Sequence, residues 1–241
     1  MMAHTMRNQI TDIIESLVNQ LTFTETINNL IDNVDGTFTI EVCNTFHVQP
    51  ICSVIDIGGT DYKVTQVVNN TSITFTASVA PVGTTFSIEG PKYFHGTRIA
   101  INNELTKITQ GSNKMPMVFV WEVIREIFNL DEENRVERTS DLRIFFLGQR
   151  PPGVDQTDTL YADAVVPMWN LSHEFVNLLQ NNTQIGELDG NFTLVNFAKF
   201  GVEGVNGATD SFFNEELGGT ELRIELPILK IFTCEGACDV N

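Results

Sequence analysis

The sequence predicts an α+β fold: a mixed, mainly antiparallel sheet with helices packed on one face, carrying an inserted small antiparallel β-barrel or sandwich. Three observations predict it. Residues 4–21 have the spacing of an amphipathic helix. Residues 97–232 alternate between helix-like and strand-like patterns. Between them, residues 37–95 read as almost pure strand, rich in Thr, Val, Ile and Phe. The first helix and the later half complete one fold, so the expected domains are a discontinuous 1–36 with 96–241 and an insertion at 37–95.

In the first helix, Ile10, Ile13, Ile14, Leu17 and Leu21 recur at helical spacing, with Asp12, Glu15 and Asn19 on other faces. Residues 24–33 are expected to add a short second turn of helix. Asp35-Gly36 then marks a turn. Residues 37–42 alternate polar and apolar, as a half-buried strand does. A second strand is expected over 48–57, broken or bulged near Pro50. Gly58-Gly59 turns the chain into 62–67, Asn69-Asn70 turns it into 72–76, and 84–88 closes the set. Five short strands so spaced suit a small barrel or sandwich. Such a unit is near the lower size limit for independent folding, so it is expected to lean on its host.

Gly90-Pro91 and Gly96 mark the exit from the insertion, followed by a short helix over 97–108 and a polar loop at 111–113. The apolar run 117–121 suits a strand buried on both faces. Residues 125–141, rich in both charges, read as a solvated loop or edge before a strand at 142–147. Pro151-Pro152-Gly153 makes 148–159 a projecting loop. A helix follows over 161–179, with Pro167 near its first turn and a buried stripe of Met168, Leu171, Phe175, Leu178 and Leu179. Strands at 192–200 and 221–232 flank a flexible Gly-rich segment, 201–219.

Composition narrows the function. The 241 residues carry 14 Lys and Arg against 31 Asp and Glu, a net charge of −17. Nucleic-acid binding proceeds by neutralising phosphates, so a sequence-reading nucleic-acid protein is not expected. An acidic surface would instead let DNA pass without sticking. No apolar run reaches the ~18 residues of a membrane span, and the first residues lack a signal-peptide layout, so intracellular synthesis is expected.

No constellation points to catalysis. Cys43 or Cys52 with His47 is a conceivable Cys–His pair, but His47 lies between β segments, where an ordinary core or surface role is expected. Ser172, His173 and Glu174 share one helical turn and point apart. Asp131-Glu132-Glu133, Asp155 with Asp158, and Glu215-Glu216 lack the spacing of a calcium loop and read as solvated charge. Cys234 and Cys238 are expected as free thiols, with a disulfide between them the alternative and a metal site behind both. Trp121 and Trp169 fall inside apolar patterns and are expected in the core. No catalytic, cofactor-binding or metal-binding residue is expected, and the reading is non-enzymatic.

Two blocks carry a resemblance. One is Lys114-Met115-Pro116-Met117-Val118-Phe119-Val120-Trp121 followed by Thr139 to Leu147. The other runs from Tyr161 through Val166-Pro167-Met168 into the 171–179 helix and ends at 222–229. In pattern and order, over residues 10–21 and 97–232, the chain resembles neck or tail-terminator proteins of tailed bacteriophages, the insertion at 37–95 being a departure. The resemblance implies a structural ring that joins head connector to tail, with no catalytic residues and no cofactor to carry over. Its partners would be further copies of itself and the neighbouring connector or portal-side and tail proteins. Genomic DNA would pass without specific binding, with no membrane contact. The implied location is the virion neck, assembled in the host cytoplasm. Contacts are expected at the projecting loop, through Arg150, Pro151, Pro152, Asp155, Asp158 and Tyr161. Two other readings remain: a β-rich virion adhesion module that contacts glycans or proteins, and a hydrolase with dispersed acids.

Overall fold

A computed structural model describes residues 10–51, 53–97, 99–101, 103, 115–122, 124–130, 136–149, 159, 161–188, 192–200 and 217–228. The fold is mixed α+β with mostly antiparallel sheets, as the sequence predicts.

Helix α1 (Ile10–Val18) presents Ile10, Ile13, Ile14, Leu17 and Val18 as one buried face. Seven strands then build the first sheet: β1 (Phe23–Thr26), β2 (Asn29–Asp32), β3 (Thr37–Glu41), β4 (Val54–Ile57), β5 (Thr60–Val68), β6 (Ser72–Thr76) and β7 (Thr85–Ile88). Their order is β1-β7-β4-β5-β6-β3-β2, every pairing antiparallel. The sheet closes on itself because β1 pairs with one end and β2 with the other. At the seam, the Ile27 amide donates to Thr84 O and the Asn28 amide to Glu41 O, both at 2.9 Å.

The helical turn expected at 24–33 is therefore corrected to two strands. Phe23-Thr24-Glu25-Thr26 alternates in burial, and its threonines prefer extended backbone. The strand expected over 48–57 is also shorter, since only Val54–Ile57 pairs and the preceding residues form a folded loop. The described barrel begins at Phe23, ahead of the expected 37 boundary. Inside it, Phe38, Ile40, Ile55, Ile57, Val64, Ile73, Phe75, Phe86 and Ile88 pack together. Gly58 turns β4 into β5 at φ +62, where an added Cβ would stand 2.1 Å from Val82 O, so only glycine fits.

The rest forms a frame. Its strands are β8 (Lys92–Gly96), β9 (Met117–Trp121), β10 (Arg125–Leu130), β11 (Val136–Gln149), β12 (Phe192–Phe200) and β13 (Leu217–Ile228). Their order is β12-β13-β11-β9-β8, with β10 also on β11. All pairs are antiparallel except β8 with β9, and β8 belongs to the frame although it was expected inside the insertion. Residues 125–141, expected as a solvated loop or edge, supply β10 and the first part of β11, tied by Arg138 Nε donating to Glu126 Oε1 at 3.0 Å.

A π-helical turn (Tyr161–Val165) leads into α2 (Val166–Gln180), where Pro167 occupies the first turn as expected. Helices α1 and α2 cover one face of the sheet, through Ile14, Leu17, Met168, Leu171 and Phe175 against Val118, Val120, Ile144, Phe146 and Leu222. The opposite face gathers Met117, Phe119, Phe145, Leu147, Phe200 and Leu217, flanked by Phe94, Trp121 and Phe197. Residues 117–120 are thus buried on both sides, as their unbroken apolar run predicts. Gly219 lets β13 approach β11, since a Cβ there would meet Phe146 O at 2.0 Å.

Ile99, Ala100, Ile101 and Asn103 are helical, and the remainder of the helix expected at 97–108 lies outside the described residues. Leu217–Gly219, expected in the flexible segment, belong to β13, while 201–216 lie outside the described residues.

Candidate functional site: the junction of barrel and frame

The loop between β3 and β4 is folded by its own polar groups. Asn44 Oδ1 accepts the Phe46 amide at 2.7 Å, and Ser53 Oγ accepts the Gln49 amide at 2.8 Å. Phe46 and Ile51 sit at φ +45 and +68, a region that bulky and β-branched residues seldom enter. Phe46 stacks on Phe23 with ring centroids 4.8 Å apart and packs against the helix-side core of the frame.

Hydrogen bonds to the frame then hold the loop. Asn170 Nδ2, from α2, donates to Phe46 O at 3.2 Å. Gln49 Nε2 donates to Asp163 O at 3.0 Å and reaches Gln149 O at 3.5 Å. His47 is fully buried, with Nε2 3.5 Å from Glu89 O. Burial pulls the His47 imidazole down to about 4, and its contact with the Glu89 carbonyl offsets only part of that. Its Nδ1 and Gln49 Oε1 are buried without a hydrogen-bond partner among the described residues. Burial also raises the Asp163 carboxyl. Tyr93 OH donates to Thr11 O at 3.1 Å, and burial, with the Glu15 and Asp12 charges, holds its phenol above the usual range.

Two grooves flank this junction. One, of about 650 Å³, runs along the outer barrel wall, where Thr24, Ser87, Asp56 and Asp61 stand in successive cross-strand register. The other, of about 300 Å³, lies between barrel loops and α2 and is lined by Cys43, Asn44, Phe46, Asn70, Asn170, His173, Glu174 and Asn177.

A second polar centre lies on the frame. Glu221 is 1% exposed and accepts from Arg143 Nε and, at 2.8 and 3.0 Å, from Arg223 Nε and Nη2. Arg143 also lies over the Trp121 and Phe145 rings, 5.6 and 5.5 Å from their centroids. Burial pushes the Glu221 carboxyl up, but the hydrogen bonds and charges of Arg223 and Arg143 prevail and hold it below its ordinary value.

Of the residues expected at contacts, Arg150, Pro151, Pro152, Asp155 and Asp158 lie outside the described residues. Tyr161 opens the π-helical turn and is partly exposed, its hydroxyl accepting from Asn196 Nδ2 at 3.1 Å. Cys43 is exposed and accepts from Asn28 Nδ2 at 3.3 Å, whereas His47 is buried against Glu89. Cys52, Cys234 and Cys238 lie outside the described residues.

Ser172 Oγ and His173 Nδ1 both turn back to Trp169 O, at 2.7 and 2.9 Å, so the Ser-His-Glu run spends its polar atoms on its own helix. Trp169, expected in the core, is 42% exposed, because Met168, Leu171, Ser172 and Phe175 take the sheet-facing stripe. Among the described residues no three His, Cys, Asp or Glu side chains gather as metal ligands. No helix among them is long and apolar enough to cross a membrane.

The junction escapes sequence reasoning because its partners are distant. Gln49 and Asp163 are 114 positions apart, and Phe46 and Asn170 are 124 apart. Compared with known families, characterised proteins and solved structures, the chain matches none.

Proposed function

We propose that this chain is a structural subunit of a tailed-phage neck, forming a homo-oligomeric ring that joins head connector to tail and lets DNA pass. The observation that carries this reading is the open frame sheet. Among the described residues, β12 and β10 each pair on one side only, and β10 carries Phe128 with 60% exposure. A ring of identical subunits needs two different surfaces that meet head to tail. A sheet with open edges at both ends offers unpaired main-chain donors and acceptors for such contacts.

The barrel adds a third surface, suited to a neighbouring ring in the neck. The net charge of −17 disfavours adhesion to phosphates and eases the passage of a polyanion. In this reading the protein is assembled in the host cytoplasm and resides in the virion neck.

Light scattering and electron microscopy of the purified chain test the proposal. Closed rings are expected, and Phe128→Asp is expected to disperse them while leaving the circular dichroism spectrum unchanged. A chain that stays monomeric at every concentration, or that imaging places outside the neck of the particle, would sink it.

A further inference from the structure

We propose that the groove between the barrel loops and α2 binds a neutral saccharide. This goes beyond the ring reading and rests on the groove alone. Four asparagines, two from each side, line it, and each amide is pinned by one end. Asn44 Oδ1 accepts the Phe46 amide at 2.7 Å, and Asn70 Oδ1 accepts the Thr45 amide at 3.5 Å. Asn170 Nδ2 donates to Phe46 O at 3.2 Å, and Asn177 Nδ2 donates to Glu174 Oε2 at 3.2 Å.

The main-chain contacts of Asn44 and Asn170 fix which way those amides point, Asn70 and Asn177 are held more loosely, and the opposite end of each has no partner among the described residues. The groove therefore offers two amide NH₂ groups from the barrel and two amide carbonyls from α2. A mixed set of fixed donors and acceptors matches hydroxyl groups, each of which donates one hydrogen bond and accepts others. Little ordering remains to be done when the ligand arrives.

The other ligand chemistries fit less well. Among the described residues no Lys or Arg lines the groove, so a phosphate or carboxylate would meet no counter-charge there and would face Glu174. An apolar ligand would strip water from four amides without replacing their hydrogen bonds. A cation would find only one carboxylate.

Trp169 supplies what a sugar ring also needs. It is 42% exposed and packs against His173, which lines the groove, with ring centroids 3.9 Å apart and planes tilted by 48°. From beside the groove its exposed ring can meet the C–H side of a pyranose while the amides take the hydroxyls. A volume of about 300 Å³ holds one or two rings, and grooves between structural units are where small ligands collect.

Saturation-transfer NMR of the full chain would test this, with glucose, galactose, mannose, rhamnose, N-acetylglucosamine and lactose as probes. At least one should bind saturably. Asn177→Ala and Trp169→Ala, both at exposed positions, should each weaken it by about tenfold, the loss of one good contact, without changing the melting temperature. Saturable binding by none of the six sugars would overturn the proposal. So would binding that neither variant alters, or displacement of the sugar by a blocked dipeptide that binds more tightly, which would assign the groove to peptide. Ring assembly by the same variants should be unaffected, so failure here is separable from failure of the ring reading.

Discussion

Barrel and frame solve the same problem in opposite ways. In the barrel the strands alternate, β3, β4 and β6 burying every second residue, and closure hides one face without help from helices. In the frame, β9 is buried on both faces, and the sheet needs α1 and α2 on one side and an aromatic cluster on the other. Closure makes the barrel's core local to residues between Phe23 and Ile88, whereas the frame's core unites Ile10 with Ile228. A self-contained core and a core assembled from both chain ends should differ in how damage spreads.

The most severe test is a cavity in each core. Phe146→Ala in the frame, opposite the Phe175 ring, and Phe75→Ala in the barrel should each cost about 3–5 kcal/mol. Because the largely buried 45–50 loop ties the units, each variant should still unfold in one transition, followed by denaturant titration with both fluorescence and circular dichroism. Two separated transitions would show that the barrel stands alone.

Acid should separate the units next. His47, in the barrel loop, has its folded value lowered to about 4 from an ordinary 6.5, so the unfolded chain takes up the proton first as pH falls. Stability should therefore drop between those two values by about 3 kcal/mol, and the drop should vanish in His47→Leu. In the frame, Glu221 is held below its ordinary value. Its contribution is present above the unfolded carboxyl range and is lost as pH falls through the lower folded value. Glu221→Gln should cost about 2 kcal/mol at neutral pH, since two half-exposed arginines lose their buried partner, and should flatten the acid limb below about pH 4.

The gentlest change touches the tie itself. Gln49→Met should cost about 1 kcal/mol, because two carbonyls lose a donor while an unpartnered oxygen is removed. If melting curves show a cost as large as that of the core cavities, the junction and not the two cores governs cooperativity.

Legibility in the sequence follows the same division. Strands β3, β5, β6 and β7 were readable because alternation and the Gly58-Gly59 and Asn69-Asn70 turns are local signals. The β1–β2 segment was not, since Thr and Asn at short spacing fit a frayed helix as well as a strand until β7 and β3 are there to pair with it. Charge hid β10, whose Arg125, Glu126 and Phe128 mark an edge that water reaches. The groove was wholly illegible: Asn44 and Asn70 meet Asn170 and Asn177 only after the barrel has docked.

The seam of the barrel has one more consequence. Its first and last strands lie side by side, Phe23 opposite Ile88, and the chain leaves past Gly90, where an added Cβ would be 3.2 Å from Leu21 O. Entry and exit thus share a doorway. A few residues joining Leu21 to Lys92 would excise the whole unit without stretching the backbone on either side. The same doorway would admit a different cassette, so in a lineage of such frames this is the point at which one module can be traded for another while α1 and the sheet stay in place.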